Sequence, residues 1–224
     1  GETRTNGACP DSYTLVRSWT ATDDCGNGVT RTQTITVQDI TAPVFTFVPA
    51  NVSVSCEAIP AVGTPTATDN CDASVTISYN GETRVNGSCP GNYTLTRSWT
   101  ATDNCGNSTN ASQTITVSDT TDPYFTSVPA AVTVNCNAIP PVGTAVAADN
   151  CDANVAVVYL GEVKTNGSCP GNYTLTRTWR ATDHCGNDSE ATQVITVQDV
   201  TAPVITCPAN VTIDCEDSSA PANT

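Results

Sequence analysis

The stretch Cys89–Asn107, CPGNYTLTRSWTATDNCGN, decides the reading of this chain. Within it Tyr93, Leu95, Arg97, Trp99 and Ala101 alternate with Thr and Ser. That period of two marks a strand with one buried face, and Thr suits its solvated face. Pro90-Gly91-Asn92 precedes the strand and Asp103-Asn104-Cys105-Gly106-Asn107 follows it, both turn-forming runs. The same text stands eighty residues earlier as CPDSYTLVRSWTATDDCGN from Cys9, and eighty later as CPGNYTLTRTWRATDHCGN from Cys169. A strict period of this size means a tandem array of one small domain.

Working outward within one period, residues 44–48, 52–56, 64–68, 75–79 and 113–117 also read as short strands. The polar segment NGETRVNGSCPGN before Tyr93 reads as a long turn. About seven strands per repeat, with no helical period, predict tandem immunoglobulin-like antiparallel β-sandwiches, all-β and stapled by disulfides. The period gives residues 1–40 as the C-terminal half of a repeat, 41–120 and 121–200 as complete repeats, and 201–224 as the start of another.

Twelve cysteines, ten of them in phase with the repeat, imply bridges formed in an oxidising, extracellular place. With one histidine and no C-x-x-C pair, zinc is a poor reading of them. If strands alternate up and down, Cys56 and Cys89 lie at one end of a repeat and Cys71 and Cys105 at the other. The expected bridges are therefore Cys56–Cys89, Cys71–Cys105, Cys136–Cys169 and Cys151–Cys185. A Cys89–Cys105 bridge is excluded by the strand between them, which spans ~33 Å, against ~7 Å for bridged Cα atoms. Cys56–Cys71 stays open. Cys9, Cys25, Cys207 and Cys215 are expected to find partners outside the chain, marking it as a window on a longer array. A rival arrangement has 201–224 completing residues 1–40 of another copy, pairing Cys215 with Cys9.

The net charge of −14, with Lys164 the sole lysine, argues against nucleic acid and anionic membranes as partners. No apolar run is long enough to span a bilayer. Acidity suits divalent cations where carboxylates converge. The joints QDITAPVF, SDTTDPYF and QDVTAPVI carry Pro and no flexible linker, which predicts a stiff rod. Asp39 should then meet Asp69, Asp72 and Asp103 of the next repeat, and Asp119 should meet Asp149, Asp152 and Asp183. Calcium is one use for these oxygens; Asx turns are the other. No other cofactor is required. Trp19, Trp99 and Trp179 read as core, with a sugar-stacking row as the alternative. Arg17, Arg97 and Arg177 share their face and are expected to stack on the rings. His184 replaces Asp24 and Asn104 of the other repeats. No nucleophile–base or carboxylate pair suggests an enzyme.

TATDNCGNSTNASQTITVSDTTDP from Thr100, NGSCPGNYTLTRTWRATDHCGN from Asn166 and TAPVITCPANVTIDC from Thr201 resemble HYR-type immunoglobulin-like repeats. Those repeats build very large surface adhesins of Bacteroidota, exported by the type IX system and including gliding-motility adhesins. The resemblance implies a β-sandwich, a cell-surface location and a role in adhesion or as a stalk. Partners would be neighbouring repeats and other copies in a filament, with the adhesion target unspecified. It also implies that Cys207 pairs with a Cys in strand G, a bridge absent from the complete repeats. Asp119-Thr120-Thr121 is similar to an O-glycosylation signal of such bacteria, with Thr120 the acceptor.

Overall fold

The computed structural model describes residues 1–212 and Asp214. Fifteen strands run in chain order among the described residues, with no helix. Residues 1–40 contribute β1 (Glu2–Asn6), β2 (Tyr13–Thr22) and β3 (Gly28–Val37), paired β1-β2-β3 in one sheet. The second repeat contributes β4 (Val44–Phe47), β5 (Val52–Val54), β6 (Thr66–Thr68), β7 (Thr76–Asn86), β8 (Tyr93–Thr102) and β9 (Ser108–Val117). They form a two-stranded sheet, β4-β6, and a four-stranded sheet, β5-β9-β8-β7. The third repeat repeats this order with β10 (Tyr124–Ser127), β11 (Val132–Asn135), β12 (Val146–Ala148), β13 (Ala156–Asn166), β14 (Tyr173–Thr182) and β15 (Asp188–Gln198).

The β-sandwich reading holds, with two local differences. The short β5 runs parallel to β9, with Val52 opposite Ile115 and Val54 opposite Val117. The first half of the segment taken for a long turn is instead strand: β7 continues to Asn86 alongside β8, and the turn is confined to residues 87–92. Gly81, at φ +106°, makes this continuation feasible. The register slips there, from Tyr79 opposite Trp99 to Gly81 opposite Ser98, as at a β-bulge. Polar composition imitated a turn because that length of β7 is solvent-exposed.

The alternation in β8 buries Leu95, Arg97, Trp99 and Ala101. Leu95, Ile115 and Val117 form the core, closed by Val52, Val54, Cys56, Ile59 and Tyr93. Trp99 and Trp179 are 2% and 3% exposed, each with a tyrosine, Tyr79 or Tyr159, tilted against its ring. They are core residues, as the plainer reading had it. Trp19, on the three-stranded sheet β1-β2-β3, is 58% exposed and is not a core residue.

Arg97 does not stack on the tryptophan. Its Nε donates to Glu82 at 2.7 Å, and Nη1 and Nη2 donate to the carbonyls of Ala61 and Pro60 at 3.0 and 2.9 Å. Arg177 does the same with Glu162, Pro141 and Pro140. These guanidiniums tie the loop before β6 or β12 to the large sheet, because their forked donors match two adjacent carbonyls. The ring-stacking cations are instead Arg4, Arg84 and Lys164, over Tyr13, Tyr93 and Tyr173.

The chain divides into two compact units. One comprises Gly1–Pro129, Gly143–Gly161 and Thr178–Thr192; the other comprises Ala130–Val142, Glu162–Arg177 and Gln193 onward. The first unit thus crosses the sequence boundary between repeats, and all three bridges described below lie within it. The second contains a core of its own, Leu175, Ile195 and Val197 with Val134 and Tyr173.

Candidate functional site

The distinctive chemistry of the chain sits where one repeat hands over to the next. The turn after β8 is built by Asp103. Its Oδ1 accepts from the backbone N–H groups of Cys105 and Asn107 at 2.9 and 2.8 Å, and its Oδ2 accepts from Asn107 Nδ2 at 2.8 Å. Gly106, at φ +90°, closes the turn. Asp183 builds the same turn around Cys185 and Asn187. Each turn presents an asparagine to the preceding repeat: Asn107 Nδ2 donates to the carbonyl of Asp39 at 3.3 Å, and Asn187 Nδ2 to that of Asp119 at 3.4 Å. Across the first joint Asn104 Nδ2 also donates to Asp11 at 2.8 Å.

This contact overturns the expected bridges. Cys9 is joined to Cys105, Cys56 to Cys151 and Cys89 to Cys185, with Cα separations of 5.1, 5.8 and 5.1 Å. The pairings Cys56–Cys89, Cys71–Cys105, Cys136–Cys169 and Cys151–Cys185 do not form. The sequence reading sorted these cysteines by the end of the repeat at which they stand and paired them within each end. With so short a joint, one repeat's end lies directly against the next repeat's turns, and the bridges cross. Periodicity could not distinguish the two schemes, since both repeat every eighty residues.

Cys9 therefore has its partner inside the chain, which also removes the Cys9–Cys215 bridge between copies. Cys25, Cys71, Cys136, Cys169 and Cys207 are unpaired and exposed, and Cys215 lies outside the described residues. Cys71 stands one period before Cys151, Cys25 before Cys105, Cys136 after Cys56 and Cys169 after Cys89. Four of the unpaired cysteines thus stand at positions that are bridged in a neighbouring repeat.

The eight aspartates expected at the joints are all there, in two classes. Asp72, Asp103, Asp152 and Asp183 are buried and spend both carboxylate oxygens on turns. Asp72 accepts from the N–H groups of Ser74 and Asn104; Asp152 accepts from those of Asn154 and His184 and from His184 Nδ1 at 2.7 Å. Asp39, Asp69, Asp119 and Asp149 spend only Oδ1. Asp39 and Asp119 accept from the N–H of Thr41 and Thr121; Asp69 accepts from Cys71 and Asp72, and Asp149 from Cys151 and Asp152. The Oδ2 of all four is buried and has no hydrogen-bond partner. Ligand atoms of Asp39, Asp69 and Cys71 lie within 4.8 Å of one another, as do those of Asp119, Asp149 and Cys151.

The local electrostatics follow. Burial pushes the Asp119 carboxyl above the ordinary carboxylate range, and the charges of Asp149, Asp183 and Asp152 push it further, outweighing its bond from Thr121. Partial desolvation raises the Cys71 thiol although its residue is exposed, helped by the charges of Asp39, Asp69, Asp11 and Asp103. Close packing completes the joint. A Cβ on Gly91 would lie 2.6 Å from Cβ of Asp119, so only glycine fits there. The crossing hydrogen bonds of Asn104, Asn107 and Asn187 escaped the sequence reading, since asparagines in such turns usually serve the turn alone.

No curated protein matches the chain significantly. Among solved structures it is similar to the protocadherin GammaB4 extracellular domain, at 17% identity and TM-score 0.33, over 85% of this chain and 40% of that one. Drosophila N-cadherin EC1-4 gives 14% and 0.36, over 84% and 58%. The human desmocollin-1 ectodomain gives 15% and 0.30, over 86% and 48%. The chain spans less than two thirds of the length of each. The family of HYR-like domains with 4 cysteines matches residues 46–117 and 125–197, more than half of the chain. Cys56, Cys71, Cys89 and Cys105 are the four of the first match and Cys136, Cys151, Cys169 and Cys185 those of the second, and the chain belongs to this family of HYR-like domains.

Proposed function

We propose that this chain is a segment of the shaft of an extracellular filament or giant cell-surface adhesin, built to carry load. The observation behind the proposal is the path of the bridges. From Cys9 a covalent track crosses to Cys105, runs back along β8 to Cys89, and crosses again to Cys185. Each repeat adds only the residues from 89 to 105 to this track, and most of them are already extended as β8. The Cys56–Cys151 bridge begins a second rail. Cys136 and Cys169 occupy the positions equivalent to Cys56 and Cys89, and Cys25 and Cys71 those equivalent to Cys105 and Cys151.

Such a track limits extension whatever happens to the domain folds. A fully unravelled eighty-residue repeat reaches about 280 Å, whereas the stretch from 89 to 105 reaches about 55 Å. Disulfides across the joints also suit an oxidising, extracellular setting. The resemblance to Bacteroidota adhesins extends the proposal to type IX export, with exposed Thr120, beside the joint, as a glycan acceptor. The burial of Trp99 and Trp179 disfavours the alternative in which they form a sugar-stacking row.

Single-molecule pulling of the oxidised chain tests this. The expected result is no contour-length step above a few tens of Å per repeat before reduction, and steps approaching 250 Å after it. Long steps from the oxidised chain would overturn the load-bearing reading.

A further inference from the structure

We propose that each joint binds one divalent cation of the calcium type between two aspartates: Asp39 with Asp69 at the first joint, Asp119 with Asp149 at the second. Each pair brings together the strand-end aspartate of one repeat and a turn aspartate of the next. Asp39 and Asp119 are 7% and 4% exposed. In each pair Oδ1 is consumed by backbone N–H groups, while both Oδ2 atoms are buried without a partner. A buried carboxylate oxygen left unpaired is costly. Two such acceptors, when both are ionised, cannot satisfy one another, but a cation between them satisfies both.

The surrounding charge points the same way. Asp72 and Asp103 flank the first pair, and Asp152 and Asp183 the second, all with their hydrogen bonds already made. They add field without competing for the ligand. The donors common to both joints are carboxylate oxygens, which are hard ligands. Cys71 and Cys151 also approach, but Cys151 is bonded to Cys56, so sulfur is not a donor the two sites share. Hard oxygen donors select calcium or magnesium over zinc, and calcium accepts carbonyls and water for the rest of its irregular shell. Repetition of the same unpaired oxygens one period apart makes this a property of the joint rather than of one loop.

The test uses the intact oxidised chain, stripped with a chelator and titrated with calcium chloride by calorimetry, with parallel thermal melts. About 10 mM calcium is at least tenfold above the weakest affinity usual for extracellular calcium modules. The expected result is two sites per chain and a melting temperature raised by a few degrees, with no rise in sodium chloride of matched ionic strength. Asp69→Asn keeps the Oδ1 turn bonds and should leave one site; Asp69→Asn with Asp149→Asn should leave none. If the double variant does not fold, the parent and the single variant still decide. No binding by the parent, an equal effect of sodium chloride, binding of zinc but not calcium, or two sites surviving in the single variant would each overturn the proposal.

Discussion

Replacing Cys89 and Cys185 together by serine removes one of the two bridges across the second joint and leaves Cys56–Cys151 in place. The lost bridge links residues 96 apart. With Cys56–Cys151 intact, the smallest ring it closes runs from Cys89 back to Cys56, over the sulfurs to Cys151, and on to Cys185. That ring of about 70 residues corresponds to about 4.4 kcal/mol of unfolded-state entropy. For a chain of this length the loss is a fall of about 10–15 °C in melting temperature. Circular dichroism melts under non-oxidising, non-reducing conditions measure it, and titration of free thiols supplies the decisive companion. If Cys89 and Cys185 are each other's partners, the double variant has the same number of free thiols as the parent. If each were bonded within its own repeat, Cys56 and Cys151 would be set free. Two additional thiols per chain would refute the crossing connectivity, and an unchanged melting temperature would refute the stability argument built on it.

Cleavage at a protease site placed within residues 118–123 should leave the two fragments joined on a non-reducing gel, separating only after reduction; release without reductant contradicts bridges across the joint. Arg97→Ala strands two loop carbonyls and Glu82, and should cost about 3 kcal/mol in chemical denaturation. Arg17→Ala, where the same pair with Glu2 is exposed, should cost under about 1 kcal/mol, so equal costs would refute the clamp. At Asp23, side-chain and backbone bonds from Asn27, with the N–H groups of Cys25 and Gly26, hold the carboxyl below its ordinary value. At Asp103 burial raises it, but bonds from Asn107, Cys105 and Gly106 more than compensate. A depressed folded value stabilises above the unfolded value near ~3.9 and loses that contribution as pH falls through the folded one. The turns should therefore loosen only below about pH 4, and hydrogen exchange at the Cys105 and Asn107 amides that accelerates already at pH 5–6 contradicts this. The raised Cys71 thiol should react with iodoacetamide more slowly than a cysteine peptide at pH 8, and Asp39→Asn should speed it.

Much of the fold was legible because two signals agreed. Period-two alternation in Tyr93–Thr102 located the strand and its buried face; the eighty-residue recurrence carried the strand to β2 and β14 but the buried face only to β14. The extent of β7 was hidden because its later half has both faces wet, leaving no alternation to read. Arg97 was assigned the right face but the wrong partners: the loop carbonyls it clamps lie 36 and 37 residues away, a distance no local pattern reports. The aspartates of the joints were found by their place at strand ends and turns. Their division into satisfied and unsatisfied sets depends on individual hydrogen bonds, so composition could not divide them. The bridges were misassigned for a different reason. A repeat unit is defined only up to a phase, and sequence comparison gives the period without saying where the covalent unit begins.

That phase has a practical and a biogenetic side. A fragment cut at the sequence boundaries, such as 41–120, would carry Cys56, Cys89 and Cys105 without their partners beside the unpaired Cys71, four free thiols prone to scrambling. A fragment cut through the middle of adjacent repeats would instead enclose a joint with both bridges closed. Because synthesis runs from the N-terminus, Cys89 cannot be bridged before Cys185 has been made, so closure of that bridge trails the making of Cys89 by about a whole repeat. The turn built by Asp183 sets the place of Cys185, so that bridge depends on the local fold of the later repeat as well as on the earlier one.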